Sequence, residues 1–169
     1  MSHRAPQALP FRTPPSGGVG TGGPTLVVGL DGTEPSWSAF SWACGEALRL
    51  NGRVIAVYVS NSTEKSLSTG AAITCFDAGG YAAAVNRAGD EQAAKLKAEA
   101  ERMAAELCVE LCFLHLKGDA ADRLKRIAHD SHADVIAVGR STKLRHRFTG
   151  SLGRRLMRDR SAPIVVIVP

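Results

Sequence analysis

The chain of 169 residues is sized for one domain, and its 44% apolar and 22% charged residues are those of a folded protein, not a disordered one. No apolar run approaches the ~18 residues that span a bilayer, and the first residues lack the apolar core of a secretory signal. A cytoplasmic protein without membrane contact is expected. The net charge of +5 is unevenly spread. Between Arg140 and Arg160 eight basic residues (Arg140, Lys143, Arg145, Arg147, Arg154, Arg155, Arg158, Arg160) face Asp159 alone, so this segment is +7 and the remainder −2. Such a cluster suits an anionic ligand or an acidic partner. The cysteines Cys44, Cys75, Cys108 and Cys112 show neither CxxC spacing nor a dense disulfide framework, and read as reduced thiols.

Residues 1–24 hold five of the eight prolines and five of the seventeen glycines, the composition of a flexible tail, which leaves 25–169 as the folded domain. The glycine run at 17–23 follows no strand and lacks the Gly-Lys-Ser/Thr ending of a phosphate loop. Thr25–Leu30 is a short apolar run and predicts strand one. After Asp31-Gly32-Thr33, Pro35 suits a first helical turn. Trp37, Phe40, Cys44, Ala47 and Leu48 then recur at helical spacing up to Asn51-Gly52, a helix stop. Val54–Val59 predicts strand two. Residues 60–89, rich in Ser, Gly and Ala with weak periodicity, read as a long loop. Asp90–Leu107 predicts a helix with Leu96, Ala100, Met103 and Leu107 on one face. Val109–Leu116 is strand three, Asp119 caps a helix to about His129, and Asp134–Val138 is strand four. Gly150–Arg160 is a last helix and Pro163–Val168 strand five.

Strands one, two and five are apolar without alternation, as strands covered on both faces are. With the alternation of strand and helix this predicts a single-domain α/β fold, a doubly wound five-stranded parallel sheet. Such sheets bind ligands at the carboxyl ends of their strands. There lie Asp31 after strand one, Ser60 after strand two, and Gly139-Arg140-Ser141-Thr142 after strand four. Thr149-Gly150-Ser151 opens the last helix, where backbone N–H groups and a hydroxyl suit an anion. Gly139 allows close approach to the backbone. Each residue also has a plain structural use as a cap or a turn.

These residues resemble the universal stress protein family, from about Thr25 to Pro169. The resemblance rests on Val28-Gly29-Leu30-Asp31-Gly32-Thr33, Gly118-Asp119, Ala133–Gly139, and above all Gly150-Ser151-Leu152 with Ser161-Ala162-Pro163-Ile164-Val165-Val166-Ile167. It implies a Rossmann-like sheet of order 3-2-1-4-5, with Asp31 and Gly139 on either side of the switch point. Family members that bind ATP carry Gly-x2-Gly-x9-Gly-Ser/Thr after strand four. Here Gly139 matches its first glycine and Gly150-Ser151 its end. Thr142 replaces the second glycine, and seven residues, Lys143 to Thr149, separate it from Gly150. The positions that resemble the family's adenine contacts are Asp31, Val59 and Val138. Thr142, Gly150, Ser151 and Leu152 fall in its phosphate segment, where Arg145 and Arg147 can substitute charge-assisted contacts for the missing glycine. The resemblance implies a stress-response regulator binding ATP or another adenine nucleotide, with Mg as companion ion, and a homodimer paired through strand five.

Two alternatives stand beside it. One is a binder of cyclic AMP or another second messenger. The other is an interaction module that binds no ATP and grips an acidic partner with its basic loop. Nucleic acid is not an expected partner, since aromatics are 5% of the chain and only Phe148, with His146, lies in the basic segment. His129-Asp130-Ser131-His132 falls at the wrong edge of the sheet for catalysis. No nucleophile–base pair or Gly-x-Ser-x-Gly elbow stands out, so no enzyme beyond slow ATP hydrolysis is expected. Cys108 and Cys112, four apart, are expected on one face of strand three.

Overall fold

The computed structural model describes residues 22–60, 78–140, 152–158 and 163–169. Five strands form its sheet: β1 (Thr25–Gly29), β2 (Arg53–Ser60), β3 (Glu110–Lys117), β4 (Val135–Gly139) and β5 (Ile164–Val168). All pairings are parallel, in the order β3-β2-β1-β4-β5. The helices are α1 (Glu34–Leu50), α2 (Ala78–Glu106), α3 (Ala120–Asp130) and α4 (Leu152–Met157).

Side chains alternate across the strands, so each strand feeds two cores. Leu26, Val28, Val54 and Ala56 pack with Phe40, Cys44, Leu96 and Ala100, beneath α1 and α2. Val27, Ile55, Val57, Ile136 and Val138 pack with Leu124, Ala128 and Leu156, beneath α3 and α4. Burial on both faces explains the unbroken apolar runs of the central strands. It also pushes the Cys44 thiol up to about 11, so this cysteine is an inert apolar group. Gly153 lets α4 lie on β5, because a Cβ there would stand 2.5 Å from the Ile167 Cδ1.

The long loop expected at 60–89 is corrected at both ends. β2 runs through Ser60, and α2 starts at Ala78, well before Asp90. Residues 61–77 lie outside the described residues. The alanines of 78–89 favour helix by propensity while adding little hydrophobic contrast, so periodicity was silent there. Leu107 falls beyond the end of α2 and is exposed, whereas Leu96, Ala100 and Ala104 form the buried stripe. Of the expected last helix, Leu152–Met157 is described; Gly150, Ser151 and residues 159–162 lie outside the described residues.

Three helices end alike, in a left-handed residue that is not glycine: Asn51 (φ 52°), Cys108 (φ 53°) and His132 (φ 50°). In each, the following N–H reaches back five residues, Gly52 to Ala47 O (2.8 Å), Val109 to Ala104 O (2.9 Å) and Ala133 to Ala128 O (2.8 Å). This Schellman closure satisfies the last carbonyls and turns the chain into the next strand. Cys108 is therefore an exposed helix terminator and not a strand neighbour of Cys112, which corrects the expected shared face. A left-handed non-glycine residue costs about 1–2 kcal/mol. The added freedom of glycine in the unfolded chain offsets about 0.4–1 kcal/mol. Cys108→Gly is thus expected to stabilise the protein by about 0.5–1 kcal/mol. A urea midpoint unchanged or lowered by Cys108→Gly would show that the turn carries no strain.

Candidate functional site

β1 and β4 are neighbours in the sheet although β2 and β3 lie between them in sequence, so the chain order reverses at this pair. Connections leave to opposite faces at such a point and open a crevice at the carboxyl ends. Asp31 stands just past β1 and Gly139 ends β4. The Asp31 carboxylate accepts the N–H (3.0 Å) and the hydroxyl (2.6 Å) of Thr33, closing a turn over Gly32 (φ 84°). Because Thr33 spends its hydroxyl on Asp31, it makes no side-chain cap for α1. Ser36 in the first turn of α1 fixes the turn to the helix: its buried hydroxyl donates to Thr33 O (2.8 Å) and accepts the Asp31 N–H (3.3 Å). Gly32 faces Gln92 and Leu96, so the turn rests on α2.

Gly139 has a different use from the one expected. A Cβ there would lie 2.3 Å from the Pro35 carbonyl carbon and 2.5 Å from the Ser36 nitrogen. The space that a side chain would need there is filled by the first turn of α1. Arg140 follows, exposed, with its N–H on Val168 O (2.8 Å).

Of the other expected site residues, Val138 is buried and Val59 half-buried, both on the α3 and α4 face. Leu152 opens α4 and packs against that same core. Thr142, Arg145, Arg147, Gly150 and Ser151 lie outside the described residues. The basic segment is partly engaged within the fold. Arg155 donates to Asp119 Oδ2 (2.8 Å) and sits 3.6 Å from Asp122 Oδ1. The same Asp119 caps α3 through the N–H groups of Ala121 and Asp122, as its sequence position predicts. Arg155 thus ties α4 to the start of α3, which removes it from the cations expected to meet an anion. His129 and His132 lie at the end of α3, toward the amino end of β4, as expected.

One arrangement was missed. Ser60 Oγ lies 2.9 Å from His115 Nε2, a hydroxyl–imidazole pair where no nucleophile–base pair had been expected. The only signal in sequence is a histidine inside the apolar run of β3, fifty-five residues from its partner. Its neighbour Tyr58 stacks on the ring at 5.2 Å, and burial together with the nearby Asp31 charge pushes the Tyr58 hydroxyl above its ordinary value. Among the described residues no helix is long and apolar enough to cross a membrane, and no group of three or more His, Cys, Asp or Glu could hold a metal ion.

The topology defines a doubly wound α/β protein with the acidic turn of Asp31 after one strand of the switch point and Arg140 after the other. The model of the universal stress protein family matches residues 24–168, and the chain belongs to that family. The solved universal stress protein of Lactobacillus plantarum is 18% identical and superposes with a TM-score of 0.66, over 86% of this chain and 97% of that one. A universal stress protein in complex with cAMP is 23% identical (TM-score 0.58, 86% and 96% covered). One from Archaeoglobus fulgidus in complex with dAMP is 17% identical (TM-score 0.57, 86% and 97% covered). At these identities the likeness bears on the fold. No curated protein matches the sequence.

Proposed function

We propose that this universal stress protein is a stress-response regulator that binds an adenine nucleotide, ATP foremost, at the carboxyl ends of β1 and β4. The observation that carries the reading is the placing of Asp31 and Gly139 on either side of the switch point. Two members of the fold were solved with adenine nucleotides, cAMP and dAMP. Asp31, with Val59 and Val138 behind it, suits the base and ribose: a carboxylate accepts from an amino group or a hydroxyl, and valines give an apolar wall. Thr142, Arg145, Arg147, Gly150 and Ser151 belong to the stretch that joins β4 to α4, which Leu152 opens, and arginine side chains suit phosphate. Gly139 contributes indirectly, by letting α1 and the Asp31 turn close on β4. Mg would travel with the phosphates, and the protein would act in the cytoplasm as a homodimer.

The short basic stretch also suits a ligand with one phosphate, so cyclic AMP is the second reading. Calorimetric titration of ATP and cAMP into the protein and its Gly150→Val variant tests both. ATP is expected to bind the parent and to lose at least about a hundredfold in the variant, a backbone approach blocked by a branched side chain. Equal affinities in the two proteins would refute the site. If neither nucleotide binds the parent, the basic stretch is left to an acidic partner.

A further inference from the structure

At the other half of the same sheet edge, β2, β3 and α2 bring together a hydroxyl, an imidazole and a carboxylate that the nucleotide reading does not use. Ser60 is the last residue of β2 and His115 the sixth of β3. Ser60 Oγ is 2.9 Å from His115 Nε2, and His115 Nδ1 is 3.6 Å from Asp90 Oδ1 on α2. The two ring nitrogens thus face a nucleophile on one side and an acid on the other, the order of roles in a serine–histidine–aspartate system. At 3.6 Å the aspartate contact is an electrostatic one, of the loose kind found before substrate draws such groups together.

The surroundings hold the pair in place. The Tyr58 ring lies against His115 at an interplanar angle of 26°. Gly89 lets α2 come close to Ser60, where an added Cβ would meet Ser60 Cβ at 3.3 Å and Oγ at 3.5 Å. Lys117 is the register partner of Ser60 on β3 and is held by Asn86 Oδ1 at 3.0 Å. Tyr58 belongs to the α1 and α2 face, and His115, its register partner, shares that face. Val59 and Val138, the apolar residues of the proposed nucleotide crevice, line the opposite face.

We propose that Ser60, His115 and Asp90 form a second, nucleophilic site that takes an acyl group from an ester. Ser60 Oγ attacks the ester carbonyl carbon while its proton passes to His115 Nε2. The C–O bond to the leaving alcohol then breaks, and His115 returns the proton to that oxygen. Water, deprotonated in turn by His115, frees the acid and restores Ser60. Asp90 is a positioning residue that holds the ring with Nε2 toward Ser60, and Lys117 is the cation nearest in register for the carbonyl oxygen. The Asp90 carboxylate disfavours a phosphate dianion at this spot, which makes an uncharged carbonyl the better electrophile.

The test uses the full-length protein, a tagged alkyl fluorophosphonate as active-serine probe, and p-nitrophenyl acetate as ester. The probe forms an O–P bond at the serine and expels fluoride, and peptide mass spectrometry locates the adduct. Labelling at Ser60 is expected. His115→Gln should slow labelling and acetate release at least about a hundredfold, the ordinary loss of a general base. Asp90 is exposed, so Asp90→Asn leaves the core intact; it should slow labelling, and Asp90→Glu should restore it. Ser60→Ala should abolish both readouts. Absence of a Ser60 adduct in the parent protein would overturn the proposal without reference to any variant's folding. Labelling unaffected by His115→Gln would overturn it as well.

Discussion

Gly139→Ala is expected to lower the stability of the fold by about 3 kcal/mol, the upper end of what overpacking costs. The added methyl would meet main chain, the Pro35 carbonyl carbon at 2.3 Å and oxygen at 2.5 Å and the Ser36 nitrogen at 2.5 Å. A side chain in the way can rotate aside, whereas the first turn of a helix has to move as a body. Ser36 is buried there and its hydroxyl joins Asp31 to Thr33, so the displacement spreads into the acidic turn. Gly29 supplies the contrast. A Cβ at that position meets only the ends of Leu124 (3.1 Å) and Val138 (3.3 Å), which can shift. Gly29→Ala should cost about 1 kcal/mol, the lower end of the same range. Urea midpoints of the two variants decide the matter: equal midpoints would mean that α1 does not need the glycine. Should the nucleotide reading hold, Gly139→Ala also weakens nucleotide binding, whereas Gly150→Val does so without a change in midpoint.

The strand order was legible because it followed from a family resemblance laid over strong local patterns. TLVVG and VIAVYV are apolar without alternation, as strands covered on both faces are, whereas PIVVIV, read the same way, forms an edge strand that leaves Ile164 and Ile167 exposed. Caps were legible for the same local reason: Asp119 accepts the N–H groups two and three residues onward, and Asn51 takes the left-handed turn that stops α1. The start of α2 was not legible, since alanine signals helix by propensity and not by contrast. Nor was the role of Gly139, because a glycine needed by a neighbouring helix looks the same in sequence as one needed by a ligand. Long-range pairs were beyond reach altogether. Arg155 with Asp119, and Ser60 with His115, join residues thirty-six and fifty-five positions apart, and no local period announces either.

Strand β5 carries the second large prediction, dimerisation by antiparallel pairing of two copies. It occupies one edge of the sheet, and Ile164 is 70% and Ile167 41% exposed. Uncovered apolar edges invite pairing with another chain, and a lysine or proline within the strand is the usual defence. β5 has neither between Ile164 and Val168. Its inner ladder is identified by two bonds, Ile164 N–H to Asp134 O (3.2 Å) and Arg140 N–H to Val168 O (2.8 Å). Even-numbered residues therefore bond β4, and the N–H groups of Val165 and Ile167 point outward. A proline at Val166 would break the inner ladder and harm the monomer, so it is the wrong probe of the edge. Ile167→Pro removes an outward donor instead, and Ile164→Lys sets like charges across a two-fold axis without touching the ladder. Both are expected to turn a dimer at micromolar concentration into a monomer, a loss of at least about a hundredfold in affinity, or about 2.7 kcal/mol. Sedimentation equilibrium reads the result directly. A parent protein that is monomeric at these concentrations, or an Ile164→Lys variant that dimerises as tightly as the parent, would show that β5 is not where two copies meet.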